Sequence, residues 1–121
     1  MQYAITQNNL GNAYSTLAEV ERKTENCKKA IAAYEEALKV STVERFPMDY
    51  AMTQNNLGNA YSTLAEVERK TENCKKAIAA YEEAVKVFTE EAFPEVYRMV
   101  VSNFQNIAAF CEDVLPGQPG S

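Results

Sequence analysis

The chain has 121 residues, 46% of them hydrophobic and 24% charged, with a net charge of -5 at pH 7 and a pI near 4.8. This is the make-up of a folded domain rather than a disordered one, and an acidic surface repels both nucleic-acid phosphates and anionic lipid. No apolar run approaches the ~18 residues of a membrane-spanning helix, no signal segment opens the chain, and the absence of His removes the commonest metal ligand and general base; the expectation is a cytoplasmic, non-enzymatic chain with no metal and no cofactor. Cys27, Cys74 and Cys111 are odd in number and form no CxxC pair, so they do not read as a disulfide framework.

The dominant feature is repetition. Thr6–Ala37 returns letter for letter as Thr53–Ala84, a run of 32 residues at an offset of 47. Tyr3, Tyr50 and Tyr97 keep the same register, as do Phe46-Pro47 and Phe93-Pro94. In chain order, the first unit (about 1–46) places Leu10, Gly11 and Tyr14 on one helix and Ala30, Tyr34 and Ala37 on the next. The second unit (about 47–93) opens with Pro47, suited to a first helical turn, and Asp49, whose charge favours the positive end of the helix dipole. Tyr50, Leu57, Tyr61 and Leu64 then form one apolar stripe with Ala60 and Ala65 beside it. The polar run ERKTEN reads as the turn, with Thr71 or Asn73 as the cap of the following helix. Cys74, Ala77, Ile78, Tyr81, Ala84, Val85 and Phe88 draw the stripe of that helix, with Glu82 and Lys86 as a favourable i,i+4 pair on the opposite side. Pro94 requires the helix to end near Phe93. A degenerate third copy follows, in which Ser102, Phe104 and Asn106 lie over Asn55, Leu57 and Asn59; it gives one helix (about 94–115) before a tail (116–121) rich in Pro and Gly that reads as disordered. Strand-like alternation is absent.

The set Leu57-Gly58, Tyr61, Ala77, Tyr81, Ala84 and Pro94, matched in the first unit by Leu10, Gly11, Tyr14, Ala30, Tyr34, Ala37 and Pro47, resembles the tetratricopeptide repeat signature. The resemblance implies an all-α fold, a right-handed solenoid of helical hairpins with five antiparallel helices: two full repeats and a C-terminal capping helix. It also implies a protein-interaction role. Gly58, Ala77 and Ala84 allow close approach of two helices, with Tyr61 and Tyr81 filling the space beside them, which offsets the ~1 kcal/mol that Gly costs within a helix. The period of 47 exceeds the family's usual period of about 34; the extra residues read as longer helices and a longer turn, as in long-period arrays of prokaryotic signalling or scaffold proteins. Gln105 and Ala108 replace Gly and Tyr in the third copy, as suits a cap.

A second stripe runs along each first helix: Ile5, Asn8, Asn12, Ser15 and Glu19; Met52, Asn55, Asn59, Ser62 and Glu66; Met99, Ser102, Asn106 and Ala109. In tetratricopeptide repeats this face lines the concave groove, so the resemblance implies a ladder of amides able to hold a peptide backbone or helix from another protein. The alternative is that these Asn are solvated or bond neighbouring helices. With Asn55 where some family members carry a groove Lys, a carboxylate clamp is not expected, while Glu19 and Glu66 favour a basic or neutral ligand or are plain surface charge. Cys27 and Cys74 read as buried packing, and Glu35, Glu36, Glu82 and Glu83 as a solvated face. A rival reading is a structural scaffold, or an engineered or excerpted array, that self-associates end to end into homo-oligomers with no groove ligand.

Overall fold

A computed structural model describes residues 2–112. It holds five helices: α1 (Gln2–Ala18), α2 (Lys23–Leu38), α3 (Pro47–Ala65), α4 (Lys70–Val87) and α5 (Pro94–Phe110). No strand occurs among the described residues. Helices α1 and α2 form one hairpin, α3 and α4 the second, and α5 stacks on the second hairpin. The result is a helical-hairpin repeat solenoid. The inserted residues are accommodated in the lengths of these helices and in the linkers at 39–46 and 88–93, while the turns inside each hairpin stay short. The expected tail at 116–121 and the last residues of the expected cap lie outside the described residues.

The helix starts follow two rules. Pro47 and Pro94 occupy the first turns of α3 and α5, each with an acidic residue close behind (Asp49, Glu95). Helices α2 and α4 begin differently from the expectation. Arg22 and Arg69 precede them with φ of 44° and 46°, and no side chain caps either helix. Asn73, expected as a cap, lies buried inside the first turn and donates its amide to the Glu68 carbonyl at 3.0 Å; Asn26 does the same to Glu21. The amide thus closes the hairpin turn from within, satisfying a carbonyl rather than a free N–H. The end of α4 also departs from the expectation: it stops at Val87, well before Phe93. Phe88 is buried and meets the Phe93 ring edge-on at 5.2 Å between centroids, which folds the linker back between α4 and α5. Lys86 pairs with Glu83 at 2.6 Å rather than with Glu82, because Glu83 also accepts the Tyr50 hydroxyl and is thereby held in place.

Two core clusters result. In the first, Cys27, Ala30, Ile31 and Tyr34 of α2 meet Leu57, Ala60 and Leu64 of α3, with Ala80 of α4 alongside. In the second, Cys74, Ala77, Tyr81 and Ala84 of α4 meet Val100, Ile107 and Cys111 at α5. The Cys74–Cys111 contact is a disulfide, with Cα atoms 6.0 Å apart and a sequence separation of 37. This corrects the reading of Cys74 as plain buried packing and of the three cysteines as carrying no disulfide pattern. Cys27, its repeat equivalent, stays a buried thiol. The reason is register: Cys111 stands where Leu64 stands in the second unit, so Cys74 meets a thiol and Cys27 a leucine. In the chain-entropy account, closing a loop of this length stabilises by about 3–4 kcal/mol.

Within each hairpin the decisive contact is a tyrosine ring on a glycine. A Cβ built on Gly58 would lie 2.6 Å from Cε1 of Tyr81, and the nearest atoms around it all belong to that ring; Gly11 meets Tyr34 more closely still. Tyr61, expected to share this space, instead sits between the two clusters and donates to Glu35 of α2 at 3.3 Å. Gly58→Ala should therefore destabilise the fold by about 1–3 kcal/mol through overpacking, despite the ~1 kcal/mol of helix propensity it gains. Urea unfolding followed by circular dichroism checks this; a raised midpoint would contradict the contact.

Candidate functional site

The first helices of the repeats, α1, α3 and α5, line two clefts that share Asn59 and Thr63. One, of about 350 Å³, is walled by Asn59, Ser62, Thr63 and Glu66 of α3 with Asn103, Asn106, Ile107 and Phe110 of α5, and by Tyr81. The other, of about 330 Å³, is walled by Asn12, Ser15, Thr16 and Glu19 of α1 with Asn56, Asn59 and Thr63 of α3, and by Tyr34 and Cys27. Together they form one polar trough across the stacked repeats. Met52 and Asn8 line a smaller cleft of about 160 Å³ near Ser41 and Asp49.

The amides of the predicted stripe divide into two groups. Asn12 and Asn59 accept the hydroxyls of Tyr34 at 2.7 Å and of Tyr81 at 2.5 Å. Ser15 and Ser62 stand 3.3 Å from the same two hydroxyls. Asn8 and Asn55 join repeats. The Asn8 Oδ1 accepts from Thr53 at 3.1 Å and from Asn56 at 3.2 Å; the Asn55 Oδ1 accepts from Asn103 at 3.3 Å. Asn55 is only 3% exposed, so the structure removes it from the trough floor: its amide is spent between helices. Ser102 is exposed but borders neither cleft. Asn56, Asn103, Thr16, Thr63 and Phe110 border the trough without having been read from sequence. Asn56 and Asn103 could have been found from their register, one step beyond Asn8 and Asn55 plus a repeat.

The hydroxyls of the trough are committed on one side. Thr16 and Thr63 donate to the Asn12 and Asn59 carbonyls, and Ser62 donates to Gly58. Their lone pairs remain as acceptors. Asn12 and Asn59 are exposed, and among the described residues no protein group accepts from their Nδ2 atoms. Each thus has its acceptor side held by a tyrosine and its donor side left to the trough. Glu19 is exposed; Glu66 forms an exposed ion pair with Lys23 at 3.1 Å. Among the described residues no group of three His, Cys, Asp or Glu could hold a metal ion. Within the paired glutamates, Glu36 and Glu83 are bonded rather than merely solvated: Lys39 and Lys86 hold them below the usual carboxylate range, with Tyr3 and Tyr50 adding to the effect, while Glu82 stays exposed. Burial pushes the Cys27 thiol up, away from a reactive thiolate.

Stacked helical hairpins with a trough along their first helices define a helical-hairpin repeat solenoid. The tetratricopeptide repeat family model matches residues 2–90, and the chain belongs to that family, whose members are in general protein–protein interaction modules. The match spans both hairpins. Neither a curated protein nor a solved structure matches the chain. No helix among the described residues is long and apolar enough to cross a membrane.

Burial pushes the Tyr81 hydroxyl from 10.0 up to about 12. Folding therefore favours the protonated phenol. The associated stability is complete below pH 10 and is lost as pH rises from 10 through about 12. Denaturation midpoints across that window should fall, and Tyr81→Phe should lessen the fall. An unchanged alkaline profile in Tyr81→Phe would contradict a phenol held protonated by the fold.

Proposed function

We propose that the chain is a non-enzymatic interaction module that takes an extended peptide or helix of another protein along the trough, with Asn12, Asn59 and Asn106 offering donors to backbone carbonyls. The observation that carries this reading is the state of Asn12 and Asn59. A tyrosine hydroxyl fixes each amide's orientation, so its donors are presented without further ordering, and fixed donors bind at lower entropic cost. Ser15 and Ser62 add acceptors, and Phe110 with Ile107 gives one end an apolar lining. Glu19 and Glu66, in the walls of the two clefts, favour neutral or basic side chains, and Met52 and Asn8 border the smaller cleft beyond them. No Lys or Arg borders either main cleft, so recognition of a free C-terminal carboxylate is not part of the reading. A cytoplasmic setting with no nucleic-acid or membrane partner belongs to the same proposal.

Alanine at these positions would strip the tyrosines of their acceptor and confuse binding with folding. Aspartate keeps the acceptor and removes the donors. Uncharged peptides selected from a random library on the immobilised chain should shift the amide resonances of Asn59, Ser62 and Asn106 in an NMR titration. The double variant Asn12→Asp/Asn59→Asp should bind them about tenfold more weakly, as two lost hydrogen bonds of ~0.5–1.5 kcal/mol imply. Unchanged affinity, or shifts confined to α2 and α4, would overturn the reading.

A further inference from the structure

Register places α5 on α4 as α3 sits on α2, and the two joints are unequal. In the inner joint Leu57, Tyr61 and Leu64 cover α2. In the outer joint Phe104, Ala108 and Cys111 hold those places. Ala108 supplies neither the ring of Tyr61 nor the hydroxyl that Tyr61 gives to Glu35. Ala80 of α4 belongs to the inner cluster, and among the described residues no helix beside α5 contributes a counterpart. What the outer joint has besides is the buried Cys74–Cys111 bond, and Val100 and Ile107 stand where the inner joint has Thr53 and Ala60. The outer joint is therefore packed by a different set of side chains and held covalently as well.

A second surface for α4 exists on the same chain, with the residues that α3 presents to α2. Leu10, Tyr14 and Leu17 of α1 are the same letters as Leu57, Tyr61 and Leu64, inside the repeated run. Leu10 and Leu17 are 42% and 38% exposed, where Leu57 and Leu64 are 7% and 4%. On the other side, Lys70–Ala84 repeats Lys23–Ala37 without change. The α1 face of one copy therefore fits the α4 face of another as α3 fits α2. The polar contacts carry over as well: Tyr14 to Glu82 in the place of Tyr61 to Glu35, and Glu21 to Lys75 in the place of Glu68 to Lys28, which lie 3.1 Å apart. Within the described residues, α5 is what occupies the position α1 of a second copy would take.

We propose that the Cys74–Cys111 disulfide is a redox latch on head-to-tail assembly: closed, it keeps α5 over α4; reduced, it lets α1 of a second copy replace α5. The observations behind this inference are separate from those behind peptide binding, although exchanging α5 would also exchange one wall of the first cleft. The reductant is a dithiol. One of its thiolates attacks a protein sulfur, breaks the S–S bond and forms a mixed disulfide; its second thiol then closes on the first. Two electrons and two protons pass to the protein, leaving Cys74 and Cys111 as thiols and the reductant as a cyclic disulfide. The freed α5 stays tethered and competes at a high effective concentration, so assembly depends on protein concentration. The contact is heterologous, so copies add in an open chain rather than closing as a symmetric dimer.

Sedimentation of the full chain across a concentration series tests this, oxidised and after treatment with dithiothreitol, beside Cys111→Ser. Oxidised protein should hold the monomer mass of 13.5 kDa. Reduced protein and Cys111→Ser should show a mass that rises with concentration to dimers and beyond. Adding Leu10→Lys and Leu17→Lys to Cys111→Ser should restore the monomer with its helical circular dichroism intact. The latch is overturned if reduced protein stays monomeric, if oxidised protein associates equally, if the lysine variants associate undiminished, or if reduction only costs the helical signal. Should Cys111→Ser fail to fold, reduced wild type decides the matter alone.

Discussion

The structure hangs on one contact made twice: a tyrosine ring pressed on a helical glycine, with its hydroxyl bonded to the asparagine that follows that glycine. Gly11 and Gly58 admit the rings of Tyr34 and Tyr81 because nothing else occupies the Cβ position. The rings bring each second helix close enough for Ala30, Ala37, Ala77 and Ala84 to be fully buried. The hydroxyls, too deep to reach bulk water freely, find Asn12 and Asn59. A buried phenol without that acceptor costs about 1–3 kcal/mol, and among the described residues no buried side-chain nitrogen or oxygen lacks a partner. The same bond that satisfies the core sets the orientation of the amide facing the trough. Packing and the candidate site are thus one arrangement seen from two sides.

Identical letters meet different neighbours along the array, and their fates diverge accordingly. Leu57 is core where Leu10 is surface; Cys74 is bridged where Cys27 is free. In a solenoid each repeat contacts only its neighbours, so what lies on either side decides the state of each residue. The redox latch and the open α1 face both follow from that dependence.

The helical hairpins were legible because Leu57, Gly58, Tyr61, Ala77, Tyr81 and Ala84 carry a spacing that only paired helices use. The trough was legible in outline, through Asn12, Asn59, Ser62 and Asn106. The depth of Asn55 is not legible because a helical stripe gives direction only: its side of α3 is covered by α5, and Asn103 donates to its amide oxygen from that helix. The disulfide was hidden for the same reason. Seen as a count of three, the cysteines suggest nothing; seen in repeat register, Cys111 falls on the position that packs against Cys74. The end of α4 is not legible in the sequence because Phe88 continues the apolar stripe, whereas in the fold its ring closes the linker against Phe93.

The central claim is that Asn59 and Tyr81 act as one unit within the hairpin. A double-mutant cycle on Asn59→Ala and Tyr81→Phe, read as unfolding free energies from urea titrations, tests it most directly. The account predicts a coupling of about 1 kcal/mol, with the second substitution costing little once the first is made. Strictly additive losses would contradict it and would separate the amide of the trough from the packing of the core.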